Sequence, residues 1–487
     1  MGVKFKMPKV LENLVGGNWV ASESERTATI VSPATETPLW DVPLSTKNEV
    51  RLAAETAQHA FVDWSKTPVQ KRARILFRFQ QLLVDEWSNL AREISLENGK
   101  TFKEAYAEVQ RGIECVEFAA SAPTLLQGSM LPDVAHGVET AMYRYPLGVV
   151  GGITPFNFPV MVPCWMFPLA IACGNTFILK PSEQTPYMAN RLAELLMKAG
   201  LPDGVFNVVH GGKDVVQEMI ADPTIKAISF VGSQPVAELV HREASMRGKR
   251  VQALGGAKNH TIVMPDADLD LAVKSIVDSA FGQAGERCMA CSVVIAVGEI
   301  EEELKRRLAS AADQLQIGDG LQDGVEMGPL ISRQRKAATL GYIESGIAEG
   351  AELLRDGRLD PAASKEGCYL GPTIFDQVTT DMRIWKEEIF APVLCFMSVA
   401  TLKDAIKIAN QSEFANGACL YTKDISTIRT FRDEINAGMI GVNVGVPAPT
   451  GLFPFSGYKN SFYGDLHVNG TDGVEFYTRK KVVTSRC

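Results

Sequence analysis

A chain of 487 residues is long enough for two or three domains and a large core. With 46% hydrophobic and 22% charged residues it has the composition of a soluble globular protein. A formal charge of −8, with no Lys/Arg cluster, argues against a nucleic-acid binder.

The nine cysteines are dispersed; Cys288 and Cys291 form the single CxxC, and no histidine pair at ligand spacing completes a zinc site. Such usage points to reduced thiols and no bound metal. The N-terminus MGVKFKMPKV has neither an apolar h-region nor an Arg/Ser-rich amphipathic pattern, so a cytoplasmic protein without a targeting peptide is expected.

Residues 13–42 alternate apolar residues with turn signals and predict short strands and a hairpin. From Lys47 to Asn98 apolar residues recur every three and four positions, predicting helices that stop at Gly99. The helical pattern continues over 101–120. It carries Arg111, which by itself reads as a solvated surface residue. Pro123, Gly128, Pro132 and Gly137 break the pattern before a strand-like ETAMYRYP, so 121–145 is expected to leave the body as a hairpin arm. From Tyr145 to Leu179 no residue is charged, a length that could span a membrane. Five prolines and Asn157 interrupt it, which fits short elements in a buried core and rejects the membrane reading.

Apolar strands at 149–154, 176–180, 205–209, 225–231 and 250–254 alternate with helices at 159–172, 186–199, 214–221 and 235–246. That is the pattern of a parallel, doubly wound α/β sheet. Such sheets bind ligands at the carboxyl ends of their strands. The fingerprint GxGxxG is absent, and the phosphate candidate is Gly232-Ser233, just after a strand and shortly before Pro235. An ordinary N-cap serine is the competing reading. Lys180 and Glu183, in KPSE, follow another strand end; there Lys180 can meet ribose hydroxyls or sit as a solvated loop lysine.

After Gly255-Gly256 a second αβ unit is expected. It holds a helix at 269–280, the segment FGQAGERCMACS (281–292), a strand at 293–297, a charged helix from Glu299 and a helix ending at Glu349. Strands follow at 371–375, 391–399 and 417–422, with a helix at 402–410 and a buried strand at 438–445. The tail VEFYTRKKVVTSR reads as a basic strand. In 281–292, a thiol beyond a glycine-containing turn and beside Arg287 is placed to be a nucleophilic thiolate; a small buried hydrophobe is the alternative. Cys291 reads as a buried structural thiol, and Phe455 as pocket wall or plain core.

Six blocks in order resemble signatures of the NAD(P)-dependent aldehyde dehydrogenase superfamily: TPFNFP (154–159), FILKPSEQTP (177–186), SFVGS (229–233), GERC (285–288), EEIFAPV (387–393) and PFSGYKNSFYG (454–464). The resemblance spans essentially the whole chain. It implies an aldehyde dehydrogenase fold with a Rossmann-like, parallel-sheet cofactor domain from 1–120 and 146–255. An α/β catalytic domain would occupy 256–445. The arm at 121–145 and a return segment at 446–487 would bridge subunits of a homo-oligomer, dimer or tetramer.

The same resemblance implies that Cys288 attacks the aldehyde, and that the thiohemiacetal gives up hydride to leave a thioester. Asn157, with the Cys288 backbone N–H, would hold the oxyanion. Thr154 and Phe156 would form the strand end beneath the cofactor. Lys180, Glu183 and Gln184 would lie at the ribose, Ser233 and Gly255 at the pyrophosphate turn, and Glu388 at the nicotinamide ribose. A carboxylate at Glu183 favours NAD over NADP. Ala237 stands where the family's phosphate turn normally ends in glycine.

One departure bears on the reaction. Hydrolytic members carry a glutamate general base in a block of the form ELGGK. QALGGAKNH (252–260) places Leu254 or Ala253 there, so water becomes a poor deacylating agent. AKNH, with PFNFP, FGQAGERCMAC and SEFANGACLYT, resembles the methylmalonate-semialdehyde dehydrogenase branch, whose members transfer the acyl group to coenzyme A. The implied reaction is oxidative decarboxylation of methylmalonate or malonate semialdehyde to propionyl-CoA or acetyl-CoA, in inositol or valine catabolism. Arg111 and Arg287 would hold the substrate carboxylate. A hydrolytic semialdehyde dehydrogenase and a catalytically silent family member are the alternatives. The intact set Cys288, Asn157, Lys180 and Glu388 argues against the second.

Overall fold

The computed structural model describes residues 10–486. Most of MGVKFKMPKV, the stretch that bears on targeting, lies outside the described residues.

The five apolar runs form the parallel centre of an eight-stranded sheet. Its order is Asn18–Val20, Asn13–Val15, Phe206–Val208, Thr176–Lys180, Val149–Ile153, Ile225–Val231, Arg250–Leu254 and Phe462–Tyr463. The central strands VVGGI and TFILK are buried throughout, which is why they read as continuous apolar runs rather than alternations. Short antiparallel strands close both edges. Helices cover the faces. Met161–Ala172 is buried on nearly every side and carries Trp165, Phe167 and Leu169 into the core. Trp87–Asn98 ends, as expected, on Gly99 in the left-handed region. Phe102–Ala120 starts on a reciprocal cap: Thr101 Oγ1 accepts from Glu104 N (3.2 Å) and Glu104 Oε2 accepts from Thr101 N (3.0 Å).

The second sheet has seven strands in the order Glu352–Arg355, Thr373–Asp376, Val393–Val399, Cys291–Val297, Asn259–Val263, Gly417–Tyr421 and Met439–Val442. Asn259–Val263, near its middle, differs from the sequence reading, which placed no strand between Gly256 and Leu269. Its first residues are polar, yet all five are buried. Met439–Val442 is a short edge strand of alternating burial, not a buried run over 438–445. The tail is also corrected: Gly470–Phe476 is helical, and the strand begins at Thr478. Val474 and Phe476 turn into the core, which favours one helical turn over β propensity.

Thr478–Arg486 pairs residue for residue with Val138–Pro146, which pairs with Ser129–Ala135. This three-stranded sheet exposes Met130, Leu131 and Val482. It is tied to the body by Arg144 Nη2 on Glu475 Oε1 (2.6 Å) and by Arg250 Nη1, which donates to the carbonyls of Glu475 (2.8 Å) and Thr478 (2.6 Å). Among the described residues no helix is long and apolar enough to cross a membrane; the uncharged stretch before Lys180 folds as strand, helix and strand.

Candidate active site

The helix Leu269–Phe281 ends in an abrupt turn. Gln283, Ala284 and Gly285 take positive φ values of 52°, 51° and 71° in succession. Only a glycine fits the third position, because a Cβ there would run into the Ala391 carbonyl. The turn delivers Glu286, Arg287 and Cys288 just before the strand Cys291–Val297. Two amides then pin Cys288 from below: its carbonyl accepts from Asn259 Nδ2 (2.9 Å) and Asn416 Nδ2 (3.0 Å). Asn259 also donates to Ala290 O (2.9 Å) and accepts from Gly417 N (3.0 Å), locking the Cys288 backbone to two strands.

Cys288 faces a cavity lined also by Lys258, Arg287, Glu388 and Phe390. Burial pushes its thiol up to about 12; the Glu388 carboxylate adds to the rise and Arg287 opposes it. The expectation of a resting thiolate is therefore corrected: desolvation outweighs the neighbouring guanidinium, and the group rests as a thiol. Burial likewise raises the Glu388 carboxyl to about 7, against the pull of the Ala257 N–H that donates to Oε1 at 3.0 Å. Lys258 Nζ holds the chain before Glu388 through the carbonyls of Ile384 (2.6 Å) and Glu387 (2.8 Å).

Asn157 is buried, and its Nδ2 donates to the carbonyl of Glu286 at 3.0 Å, two residues before Cys288. Its backbone carbonyl accepts from Lys100 Nζ (2.5 Å) and Gln283 Nε2 (2.6 Å). Lys100 Nζ also meets Glu108 Oε2 at 2.6 Å, and Glu108 Oε1 takes the N–H groups of Val160 (2.8 Å) and Met161 (3.1 Å). The Glu286 side chain points into a separate buried niche, where both oxygens accept the Ile331 N–H at 3.2 Å. Burial raises that carboxyl to about 8.

The cofactor positions converge at the carboxyl ends of the parallel strands. Thr154 N donates to Lys180 O (3.1 Å), and Lys180 Nζ meets Glu183 Oε2 (2.8 Å). Burial lowers the Lys180 ammonium pKa and Glu183 opposes that. Ser233 caps the helix Gln234–Ser245 without a side-chain hydrogen bond, so its hydroxyl is available to a ligand. Gly255 lets the turn approach closely: a Cβ there would lie 2.8 Å from Asn460 O. Phe156 sets its ring edge-on to Phe390, 5.9 Å between centroids, and Gln184 is exposed beyond Glu183.

Not every expected residue joins this cluster. Arg287 lines the cavity, but its Nη2 donates to the carbonyls of Asp278 and Ser279 at the end of the preceding helix, while its Nε has no protein partner. Arg111 is half-buried and paired with Glu114 on its own helix at 2.9 Å. Phe455 packs on Trp165 with 4.8 Å between ring centroids. Cys291 Sγ turns to Thr261 Oγ1 at 3.2 Å, as befits a structural thiol. Ala253 and Leu254 are buried in a strand. Among the described residues no cluster of His, Cys, Asp and Glu could hold a metal ion. Sequence reasoning missed Lys100, Glu108, Asn259, Gln283 and Asn416. Asn259, Gln283 and Asn416 do fall inside AKNH, FGQAGERCMAC and SEFANGACLYT, whose sequence likeness gave no hint of what they hold.

The model of the aldehyde dehydrogenase family matches residues 19–483. The chain is 64% identical over 478 residues to a malonate-semialdehyde dehydrogenase of Geobacillus thermodenitrificans, covering 98% of this chain and 99% of that one. It is 63% identical over 476 residues to a malonate-semialdehyde dehydrogenase of Halalkalibacterium halodurans, covering 98% of each. The crystal structure of a methylmalonate-semialdehyde dehydrogenase from Oceanimonas doudoroffii superposes with a TM-score of 0.97 at 46% identity, covering 99% of both chains. A Sinorhizobium meliloti protein assigned to the same activity and solved with NAD gives 0.97 at 42% identity, again over 99% of both. The chain belongs to the aldehyde dehydrogenase family.

Proposed function

We propose that the chain is an NAD-dependent, CoA-acylating semialdehyde dehydrogenase that oxidises and decarboxylates malonate or methylmalonate semialdehyde. The carrying observation is a cavity lined by Cys288 and Glu388, with the Asn157 amide on the Glu286 carbonyl two residues before Cys288, while alanine and leucine stand where the family resemblance puts a hydrolytic base. The names of relatives above 60% identity support the substrate class.

The residues present fit a nicotinamide dinucleotide. Lys180 and Glu183 offer a donor and an acceptor for a ribose diol, and Ser233 offers a free hydroxyl at a helix start suited to a pyrophosphate. Gly255 and Gly256 keep the turn open, and Glu388 faces the same cavity as Cys288. When bound, NAD supplies the hydride acceptor. The chain's own residues do the rest. Cys288 must shed its proton before Sγ adds to the aldehyde carbon, and a Glu388 carboxyl near 7 is suited to take it. Asn157 Nδ2 turns from the Glu286 carbonyl to the developing oxyanion beside the Cys288 N–H. Oxidation leaves a thioester on Sγ. The β-carboxylate departs as CO2, giving a thioester-stabilised enolate that takes up a proton. The thiol of coenzyme A then displaces Cys288 as propionyl-CoA or acetyl-CoA forms.

Arg287, which lines the cavity and whose buried Nε has no protein partner, is the first candidate to hold the substrate carboxylate, and Arg111 would have to turn from Glu114 to join it. A homo-oligomer, built on the apolar outer face of the arm, and a cytoplasmic location complete the proposal. Hydrolysis with a free-acid product is the second reading, and Glu388, as a carboxylate within the cavity, is the base it would require.

The test is NADH formation from malonate semialdehyde with and without coenzyme A, with products identified. Turnover that needs coenzyme A and yields acetyl-CoA plus CO2 is expected. Steady NADH with a free acid and no coenzyme A refutes the acyl transfer. In the same assay Arg287→Ala should lose about 30-fold in kcat/KM on the semialdehyde, roughly 2 kcal/mol, and far less on propanal. An equal loss on both removes its carboxylate role.

A further inference from the structure

Four side chains within ENGKTFKEAYAE (97–108) reach the two loops that meet at Cys288. Asn98 Nδ2 donates to Phe156 O (3.2 Å), and Lys100 Nζ to Asn157 O (2.5 Å). Glu108 Oε1 takes the Val160 and Met161 N–H groups. Glu104 Oε1 takes the N–H of Gln283 at 2.6 Å, and Gln283 Nε2 returns to Asn157 O. Lys100 and Glu108 have wholly buried side chains, and the Lys100 ammonium also lies 4.5 Å above the Phe158 ring. An ammonium in such a place loses its hydration and needs specific partners to stay charged. Its partners here are a carboxylate and one particular peptide carbonyl.

That carbonyl belongs to Asn157. Its backbone oxygen is gripped by two donors, Lys100 and Gln283, while its side-chain amide reaches Glu286 on the thiol loop. Holding that carbonyl holds the backbone from which the Asn157 side chain projects, and so restricts where Nδ2 can reach. We propose that Lys100, held by Glu108, is a positioning residue that aims the Asn157 amide at the reacting oxygen, with Gln283 coupling this aim to the Cys288 loop. The proposal rests on the reading of Asn157 as the oxyanion donor. The competing account is an ion pair that only stabilises the fold.

The experiment places Lys100→Met/Glu108→Gln in the wild-type and Asn157→Ala backgrounds. The double change avoids stranding the buried Glu108 charge, and the amide oxygen that replaces the carboxylate can still accept the Val160 and Met161 N–H groups. Gln283→Leu, which leaves the ion pair intact, is made in parallel. Melting temperature, NAD Kd and the single-turnover rate of NADH formation from malonate semialdehyde are measured. The double variant is expected to fold and to keep its NAD Kd, with a single-turnover rate down about 100-fold, the scale on which small misplacement acts. Gln283→Leu should lose about tenfold for one lost hydrogen bond. Both losses should vanish in the Asn157→Ala background, because residues acting through one group are not additive. A wild-type rate in the double variant, or losses that persist alongside Asn157→Ala, overturns the positioning role. Should the double variant fail to fold, the same two outcomes for Gln283→Leu decide. An Asn157→Ala enzyme as fast as wild type removes the oxyanion reading itself, and the positioning role with it.

Discussion

Glu286 is a buried carboxyl whose two oxygens share one backbone N–H, next in sequence to a residue that lines the reaction cavity. Burial lifts it from 4.5 to about 8, so between those values the folded chain keeps a proton that the unfolded chain releases. Its contribution to stability is complete below pH 4.5 and is lost as pH rises through about 8, at no more than about 1.4 kcal/mol per pH unit. Glu286→Gln, a neutral isostere, should flatten the fall in melting temperature across that window; parallel profiles for the two proteins would refute the assignment. The sequence could not disclose this, because a carboxylate beside an arginine looks paired, whereas Arg287 turns to the carbonyls of Asp278 and Ser279. The placement of Cys288 beyond a glycine-containing turn and beside Arg287 was legible. The amide of Asn416 was not, since it meets the Cys288 carbonyl across 128 residues and no local spacing encodes such a contact.

At the scale of elements, the turn Gln283–Ala284–Gly285 sets the register between a helix and the strand that follows Cys288. A methyl group at Gly285 would press on the Ala391 carbonyl, three residues beyond Glu388, and would also oppose a φ of 71°. Gly285→Ala should cost about 2 kcal/mol or more in stability and depress turnover, read by thermal melts and NADH formation. A variant that melts and turns over like wild type would show that the loop yields freely. The strongly periodic helices and the five largely apolar strands were legible, since each carries its burial pattern in its own residues. Asn259–Val263 was not: Asn259 spends its amide on two carbonyls of the nucleophile loop, so a polar residue sits where a strand signal expects an apolar one. Ile425–Glu434 also escaped notice: Ile428 and Phe431 share its inner face, but Phe431 is its one buried residue.

At the scale of the molecule, one sheet carries the residues proposed to meet the cofactor and the other carries Cys288, and the arm stands outside both with its own three strands. Truncation after Tyr477 leaves Val138–Pro146 with an open edge beside Met130 and Leu131. Light scattering should find that protein aggregated or without the full-length assembly. Unchanged soluble particles of the same mass would refute a role for the tail in assembly. The strand pairing has one more consequence, which concerns the ribosome. Thr140 and Thr484, partners across the arm, are 344 residues apart, so roughly half a minute of translation separates them at about 5–20 residues per second. Throughout that interval the hairpin can only wait. The nascent chain therefore carries a ribbon whose edge stays uncovered until residues 478–486 emerge, and it is there that a chaperone would find most to hold.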